Sequence, residues 1–311
     1  MSHTEKKHDQ YYEMANAPIS HIIPKLAAPT IVSMLISSIY NMADTFFVSQ
    51  LGTSASGAVG VIFSAMSIIQ ALAFMIGMGS GNYMTRSLGA GKRELAEQIV
   101  SIAFFTGIIM GLVITVSATF NIHRVVLLLG ATETIAPYAE AYAHYIFIAA
   151  PFMICSFIMN NLLRFQGKAS FAMVGITVGG LLNIALDPLF IFVFGLGIKG
   201  AAIATIISQT LSAAFVLYFL HYKAEYRIRF LSKTELTSCG EDAKNIVSLG
   251  TAGFIMQLTN GLVSIVCNNV LSVTGGDIYI SVMTIVSSVR QLVETPIYAM
   301  NEGGSPILSY N

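Results

Sequence analysis

The sequence predicts an all-α integral membrane protein, a polytopic helical bundle, and three observations carry that expectation. Hydrophobic residues fill 55% of the 311 positions, charged residues only 10%, and mean hydropathy is +0.71. An ordinary soluble domain has roughly 25% charged residues. With too little charge to coat a water-facing surface, the apolar residues must face a bilayer. Apolar runs of about 20 residues recur along the chain, each enough to cross ~30 Å of hydrocarbon at ~1.5 Å per residue. Lysine and arginine, finally, collect in alternate breaks between those runs.

Eight spans follow from the runs, near 26–50, 57–82, 97–120, 137–161, 170–194, 199–221, 246–272 and 279–302. Turn-rich breaks separate them: LGTSASG at 51–57, LGAGKRELAE at 88–97, LGATET at 129–134, RFQGKAS at 164–170 and GLGIKG at 195–200. The opening stretch MSHTEKKHDQYYEMANAPIS is polar and lacks an apolar core ahead of a small-residue cleavage site, so the first hydrophobic helix serves as the membrane signal. The longest polar break runs from about His221 to Asn245. It divides the chain into a six-span unit at 1–221, a linker at 222–245 and a two-span unit at 246–311.

Orientation comes from the positive charges, because short cytoplasmic loops hold the excess of Lys and Arg. Lys6, Lys7, Lys25, Arg86, Lys92, Arg93, Arg164, Lys168, Lys223, Arg227, Arg229, Lys233 and Lys244 fall on one side, and only Arg124 and Lys199 on the other. Arg290 falls within the eighth span. The N-terminus is therefore expected in the cytoplasm. The zero net charge conceals this asymmetry, which makes a nucleic-acid partner unnecessary.

Internal repetition is the next signal, since many transporters are built from duplicated helical units. A shift of 224 residues lays 44–87 on 268–311 without a gap, with Gly52 on Gly276, Ser64 on Ser288 and Gly79 on Gly303. The seventh and eighth spans then repeat the first and second. If six spans make one unit, a second unit has only begun at Asn311. The expectation is a C-terminally truncated piece of a roughly twelve-span protein.

Acids inside spans are few: Asp44, Asp187 and Glu294, with Glu140 and Glu302 near span ends. A carboxylate at mid-bilayer costs about 2.5–3.5 kcal/mol on insertion scales, so it tends to face a bundle interior or a wet cavity and to have a role. Asp44 lies about six positions past the centre of an outward-rising span, and Asp187 about five past the centre of another. Both should sit in the outer half of the membrane at similar depth. Tyr40 and Asn41 lie at i−4 and i−3 from Asp44, and Asn183 at i−4 from Asp187, so each acid has polar company on its own helix face. Pro188 removes an amide and leaves the Ile184 carbonyl without its usual donor, a loss tolerated only beside protein or water. Such an oxygen-rich nook can hold sodium, or a proton on a carboxylate that burial and a second acid nearby favour in its neutral form. The bland reading of either Asp alone is packing glue on a neighbouring helix.

The stretches KLAAPTIVSMLISSIYNMADTFFVSQLG at 25–52, GSGNYMTRSLGAGKRELA at 79–96, NNLLRFQGKA at 160–169, NIALDPLFIFVFGLGIKGAAIAT at 183–205 and SPILSYN at the end occur in order and at matching spacing. In these the chain resembles the multidrug and toxic compound extrusion (MATE) transporters, on the DinF-like or MepA-like bacterial branch, over its whole length. The resemblance implies two pseudo-symmetric six-helix lobes facing each other in a V, of which about eight of twelve spans are here. It implies export of lipophilic cationic drugs or toxic compounds across the bacterial cytoplasmic membrane, by alternating access and antiport with H+ or Na+, in a monomer in contact with membrane lipid. No other cofactor and no enzymatic activity is implied. Asp44, Asn183, Asp187 and Thr205 map onto the cation and proton network of the first lobe, with Tyr40 beside it. Na+, if it is the coupling ion, would be held at Asp44, Asp187 and Asn183.

Other residues have two readings each. Asn160 matches a polar position of that lobe, yet its place near a span end equally fits helix capping. Pro29 marks an irregular turn near the inner interface, or a bend that changes with the state of Asp44. The seventh span lacks the acid that NorM-like members carry and offers Gln257, Asn260, Asn268 and Asn269; Asn268 is the repeat counterpart of Asp44, which favours coupling through the first lobe. Glu294 stands at i+4 from Arg290, as an intrahelical ion pair or as a contact for a cationic substrate. The 15 Met and 19 Phe line a pliable cavity or face lipid and neighbouring helices.

Rival functions fare worse. An intramembrane aspartyl protease places its acids in Tyr-Asp and Gly-x-Gly-Asp settings, and NMAD and LDP match neither. HExxH and GxSxG-like motifs are absent from the sequence. Cys155, Cys239 and Cys267 have no metal spacing, and the six histidines are scattered. GSGNYMTRSLGAGK lacks phosphate-loop spacing and reads as close helix packing with a tight turn. A lipid-linked precursor or polysaccharide flippase of the same superfamily would need several basic residues inside spans, where only Arg290 is expected.

Overall fold

Long apolar runs broken by glycine turns leave the backbone one way to satisfy its hydrogen bonds in a bilayer, which is to coil within each run. The structure, a computed structural model, describes residues 18–310. In chain order the helices are α1 Ile19–Ser49, α2 Thr53–Gly89, α3 Arg93–Phe120, α4 Ile122–Leu128, α5 Ala136–Phe165, α6 Ala169–Pro188, α7 Ile198–Tyr222, α8 Lys233–Thr274 and α9 Gly276–Tyr310, with a π-helical turn at Leu189–Val193 after α6. No strand occurs among the described residues.

Each expected span is found as a helix, with corrections. Among the described residues, seven helices are long and apolar enough to cross a membrane. The eighth, α9, has the length, but Arg290, Gln291 and Glu294 in its middle lower its hydropathy below that of the others. The linker expected at 222–245 is irregular only to Ser232, because α8 begins at Lys233. Arg164, expected in a loop, lies in the last turn of α5. The short α4 lay between two spans that a hydropathy window merges into one break. Pro29 sits inside an unbroken α1, so the irregularity expected there does not interrupt the helix.

α5 forms the centre of the first unit, packing on α2, α3 and α7. Its Tyr142, Ile146, Met153, Ile154 and Ile158 are fully buried, which is why the helix reads as apolar on every face. The second unit attaches through two helix pairs: α8 lies against α2, and α9 against α1. Those pairs are repeat equivalents, and the glycines show it in detail. Gly52 and Gly276, equivalent under the 224-residue shift, both turn the chain with positive φ, at 120° and 62°. A Cβ on Gly79 would meet the Ile246 carbonyl oxygen at 1.9 Å, and one on the equivalent Gly303 would meet Ala27 Cα at 2.5 Å. Only glycine lets these backbones approach so closely.

Polar ties fasten the two units at both ends. On the face where α1 begins, Tyr83 Oη and Gln98 Nε2 donate to Asp242 at 3.0 and 3.1 Å, Ser309 Oγ donates to Asn82, and Arg164 pairs with Glu302. On the opposite face Asp277, in the first turn of α9, accepts from Thr132 at 2.6 Å, Thr134 at 2.7 Å and Ser54 at 2.9 Å. Asp277 lies ahead of the apolar part of α9. Partial burial disfavours its charge, but three hydroxyl donors outweigh that and hold the carboxyl below its ordinary 3.8. A depressed pKa contributes stability above 3.8 that is lost as pH falls through the depressed value. Asp277→Asn should therefore lower the thermal midpoint at pH 7, and the gap to wild type should close on acidification well below 3.8. Unfolding scans of both proteins across that range check this, and a gap constant with pH would refute it.

Candidate functional site

The two acids lie close to one level of the helical bundle. Asp44 is five residues before the end of α1 at Ser49, Tyr142 six residues after the start of α5 at Ala136, and Thr205 seven after the start of α7 at Ile198. At ~1.5 Å per residue these positions share a level about 8–10 Å below the same face. Asp187 sits at the end of α6, where Pro188 cannot donate and the helix widens into the π-helical turn Leu189–Val193. Phe194 N–H reaches the Leu189 carbonyl at 2.9 Å to close that turn.

Side chains at this level form a chain of contacts. Tyr142 Oη donates to Asp44 Oδ2 at 3.3 Å. Asn183 Nδ2 donates to Asp187 Oδ1 at 3.2 Å and lies 3.5 Å from Thr205 Oγ1. The two carboxylates are within electrostatic reach of each other. Gln209 Nε2 donates to Tyr40 Oη at 3.2 Å, tying Tyr40 on α1 to α7. After these bonds are counted, Asp44 Oδ1, Asp187 Oδ2 and Asn183 Oδ1 are buried oxygens with no hydrogen-bond partner within the protein. Buried acceptors left this way are costly, and a positive species beside the three would offset that cost. The donor set is all oxygen, which suits a proton or a hard cation such as Na+.

Two cavities open beside it. The smaller, about 50 Å³, is lined by Asp44, Tyr142, Thr205 and, from the second unit, Asn268 and Ser288. The larger, about 150 Å³, runs from the same level toward the face where α1 begins, here called the α1 face or α1 end, and is lined among others by Gln70, Asn160, Ser208, Gln257 and Gln291. Tyr40, Asn41, Asn183 and Thr205 line both, so the two are halves of one chamber. Asp187 is fully buried behind Asn183 and does not line either half. Asn268, the uncharged repeat counterpart of Asp44, faces the same chamber and donates to Ser64 at 3.2 Å.

Of the residues singled out in the sequence, Asp44, Asp187, Asn183, Thr205 and Tyr40 come together around one level. Asn41, Asn160 and Gln257 line the chamber. Capping is excluded for Asn160: it lies inside α5, whose cap is Gln166, and its Nδ2 bonds back to the Ser156 carbonyl at 2.9 Å, leaving Oδ1 without a partner. Pro29 lines neither half. Glu294 pairs with Arg290 at 3.5 Å on an exposed face of α9, outside both halves. Tyr142 is the residue the sequence did not yield. Its one signal was a hydroxyl within a span, in a stretch where Tyr138, Glu140, His144 and Tyr145 are polar as well.

Buried acids on two long apolar helices beside a central chamber define a multi-pass helical membrane protein built like a transporter. The comparisons with known proteins narrow this class. The chain belongs to the MatE family, whose model matches residues 29–189, the stretch that holds Asp44, Tyr142, Asn183 and Asp187. The multidrug export protein MepA of Staphylococcus saprophyticus is 29% identical over 308 residues, covering 98% of this chain and 67% of that protein. Among solved structures, the MATE multidrug transporter DinF-BH, determined in complex with a ligand, matches with a TM-score of 0.87 at 28% identity, over 94% of this chain and 66% of that one. An outward-facing multidrug resistance MATE family transporter of the MOP superfamily matches with a TM-score of 0.83 at 28% identity, over 96% and 66%. The chain thus spans about two thirds of the length of these relatives.

Proposed function

We propose that this chain forms the larger part of a cation-coupled antiporter that exports lipophilic cationic compounds across a bacterial cytoplasmic membrane, with its N-terminus inside. The observation that carries the reading is the trio of unpartnered buried oxygens on Asp44, Asp187 and Asn183 beside a chamber. A proton or Na+ taken up there neutralises the acids, and its release restores their charge. Because Asp44 faces the chamber from α1 while Asp187 and Asn183 sit on α6, a change of charge alters how strongly those helices hold together. Alternating access then exchanges ion for cargo. The relatives named as multidrug exporters support this class of cargo.

The flippase alternative is weaker. Arg164 and Glu302 are the charged residues lining the larger half of the chamber, and they are paired, which leaves no net positive charge for an anionic lipid-linked cargo. Full-length protein in liposomes should expel the cationic dye rhodamine 6G only under an imposed proton or sodium gradient. Export of equal rate without any gradient would sink the antiport reading.

A further inference from the structure

At the α1 end of the larger half of the chamber, Arg164 from the last turn of α5 and Glu302 from α9 form an ion pair that joins the two units. Both side chains are nearly buried, at 9% and 11% exposure. The arginine is incompletely held. Nη1 reaches Glu302 Oε2 and Nη2 donates to Asn161 Oδ1 at 3.2 Å, while Nε is buried without a hydrogen-bond partner. A two-pronged arginine–carboxylate pair satisfies both groups and is strong; a buried pair made through one prong, with a donor left over, recovers less of its desolvation cost. The surrounding wall offers neutral amides, among them Gln70, Gln257 and Gln291, and the aromatic faces of Phe74 and Phe157. That wall suits a flat organic cation, and its one acid is Glu302.

Size matters as well. Drug-sized ligands occupy pockets of about 300–1,000 Å³. Halves of about 150 Å³ and about 50 Å³ are too small even together, so cargo needs the units to part where this pair joins them.

We infer that Glu302 is the carboxylate that receives the positive charge of a monovalent organic cation entering from the α1 face, and that Arg164 occupies its place as a tethered competitor until cargo displaces it. This rests on the export reading above and adds to it the residue that recognises cargo charge. The exchange is neutral: one cation leaves Glu302 as another arrives. Arrival of cargo thereby unfastens the tie between α5 and α9, which couples loading to opening.

The test is equilibrium binding of rhodamine 6G to full-length protein in detergent, read by fluorescence anisotropy. Glu302→Gln should weaken binding about tenfold or more, while Arg164→Gln should tighten it several-fold. Opposite signs from the two halves of one pair distinguish competition from a structural ion pair, whose loss moves both variants the same way. Arg164→Lys, which keeps the charge but not the guanidinium geometry, serves if Arg164→Gln does not fold, and should tighten binding to a smaller extent. Shifts of the same sign, or no shift in either variant, overturn the inference. Gradient-driven export by wild type in liposomes is measured alongside: its absence defeats the export reading itself, whereas normal export with same-sign shifts defeats only the role of Glu302.

Discussion

Asp44→Asn is expected to bring gradient-driven dye export down to the level of protein-free liposomes while leaving the fold intact. Asparagine has nearly the same shape, and its carbonyl oxygen still accepts the hydroxyl that Tyr142 donates at 3.3 Å. What is lost is the charge, and with it the reason for a proton or Na+ to bind beside Asp187 and Asn183. Stability should hold or rise, because an intramembrane carboxylate costs about 2.5–3.5 kcal/mol to insert and an amide far less. The measurement pairs dye flux in liposomes with thermal unfolding in detergent. Undiminished flux would remove Asp44 from the coupling mechanism, and a collapsed melting point would make its role structural. Tyr142→Phe should do less. It removes one hydrogen bond to a carboxylate, a contribution of about 1.5–3 kcal/mol, and keeps both acids.

The helices and the shared level of the two acids within the bundle were legible in the sequence for a physical reason. Hydrocarbon forces every buried run into a helix, so length and charge position in a run translate directly into depth. Asp44 and Asp187 therefore came out at one level before any packing was known. The repeat was legible too, through Gly52 and Gly276, because a turn with positive φ tolerates few other residues. Hidden from sequence were the contacts that depend on how helices cross. Arg164 looked like a loop cation, and its burial against Glu302 arises only when α9 docks on the first unit. Asp242 looked like part of a polar linker, yet the early start of α8 carries it onto Tyr83 and Gln98. Asp277 gave no local sign of its three hydroxyl partners, which come from α2 and from the turn before α5. Asn160 was ambiguous between cap and chamber because the end of α5 lay five residues beyond it, at Phe165, rather than at 161.

Among the described glycine contacts, the crossing of α2 and α8 should be the least tolerant, because its obstacles are backbone atoms. A Cβ on Gly79 would lie 1.9 Å from the Ile246 carbonyl oxygen, and a Cβ on Gly250 would lie 1.8 Å from the Met75 carbonyl oxygen. Both obstacles are backbone, so no rotamer change relieves them, and reaching even ordinary contact requires the helices to part by about 1.5 Å. Overpacking of this kind costs about 1–3 kcal/mol when side chains can adjust, and more is expected here because they cannot. Gly253 on α8 supplies the control, since a Cβ there meets only Met78 and Phe74 side-chain atoms at 3.9 Å. Thermal unfolding should show Gly79→Ala and Gly250→Ala well below wild type, with Gly253→Ala within about 0.5 kcal/mol of it. The same separation would loosen the ties of Tyr83 and Gln98 to Asp242, which lie beside the crossing. On the alternating-access reading, a population shift toward the form open at the α1 face follows, so a cysteine placed at Asn160 should label faster from that side in Gly79→Ala than in wild type. Equal melting points for all three glycine variants would mean that the crossing is not the rigid contact its geometry describes, and equal labelling would separate its stability from gating.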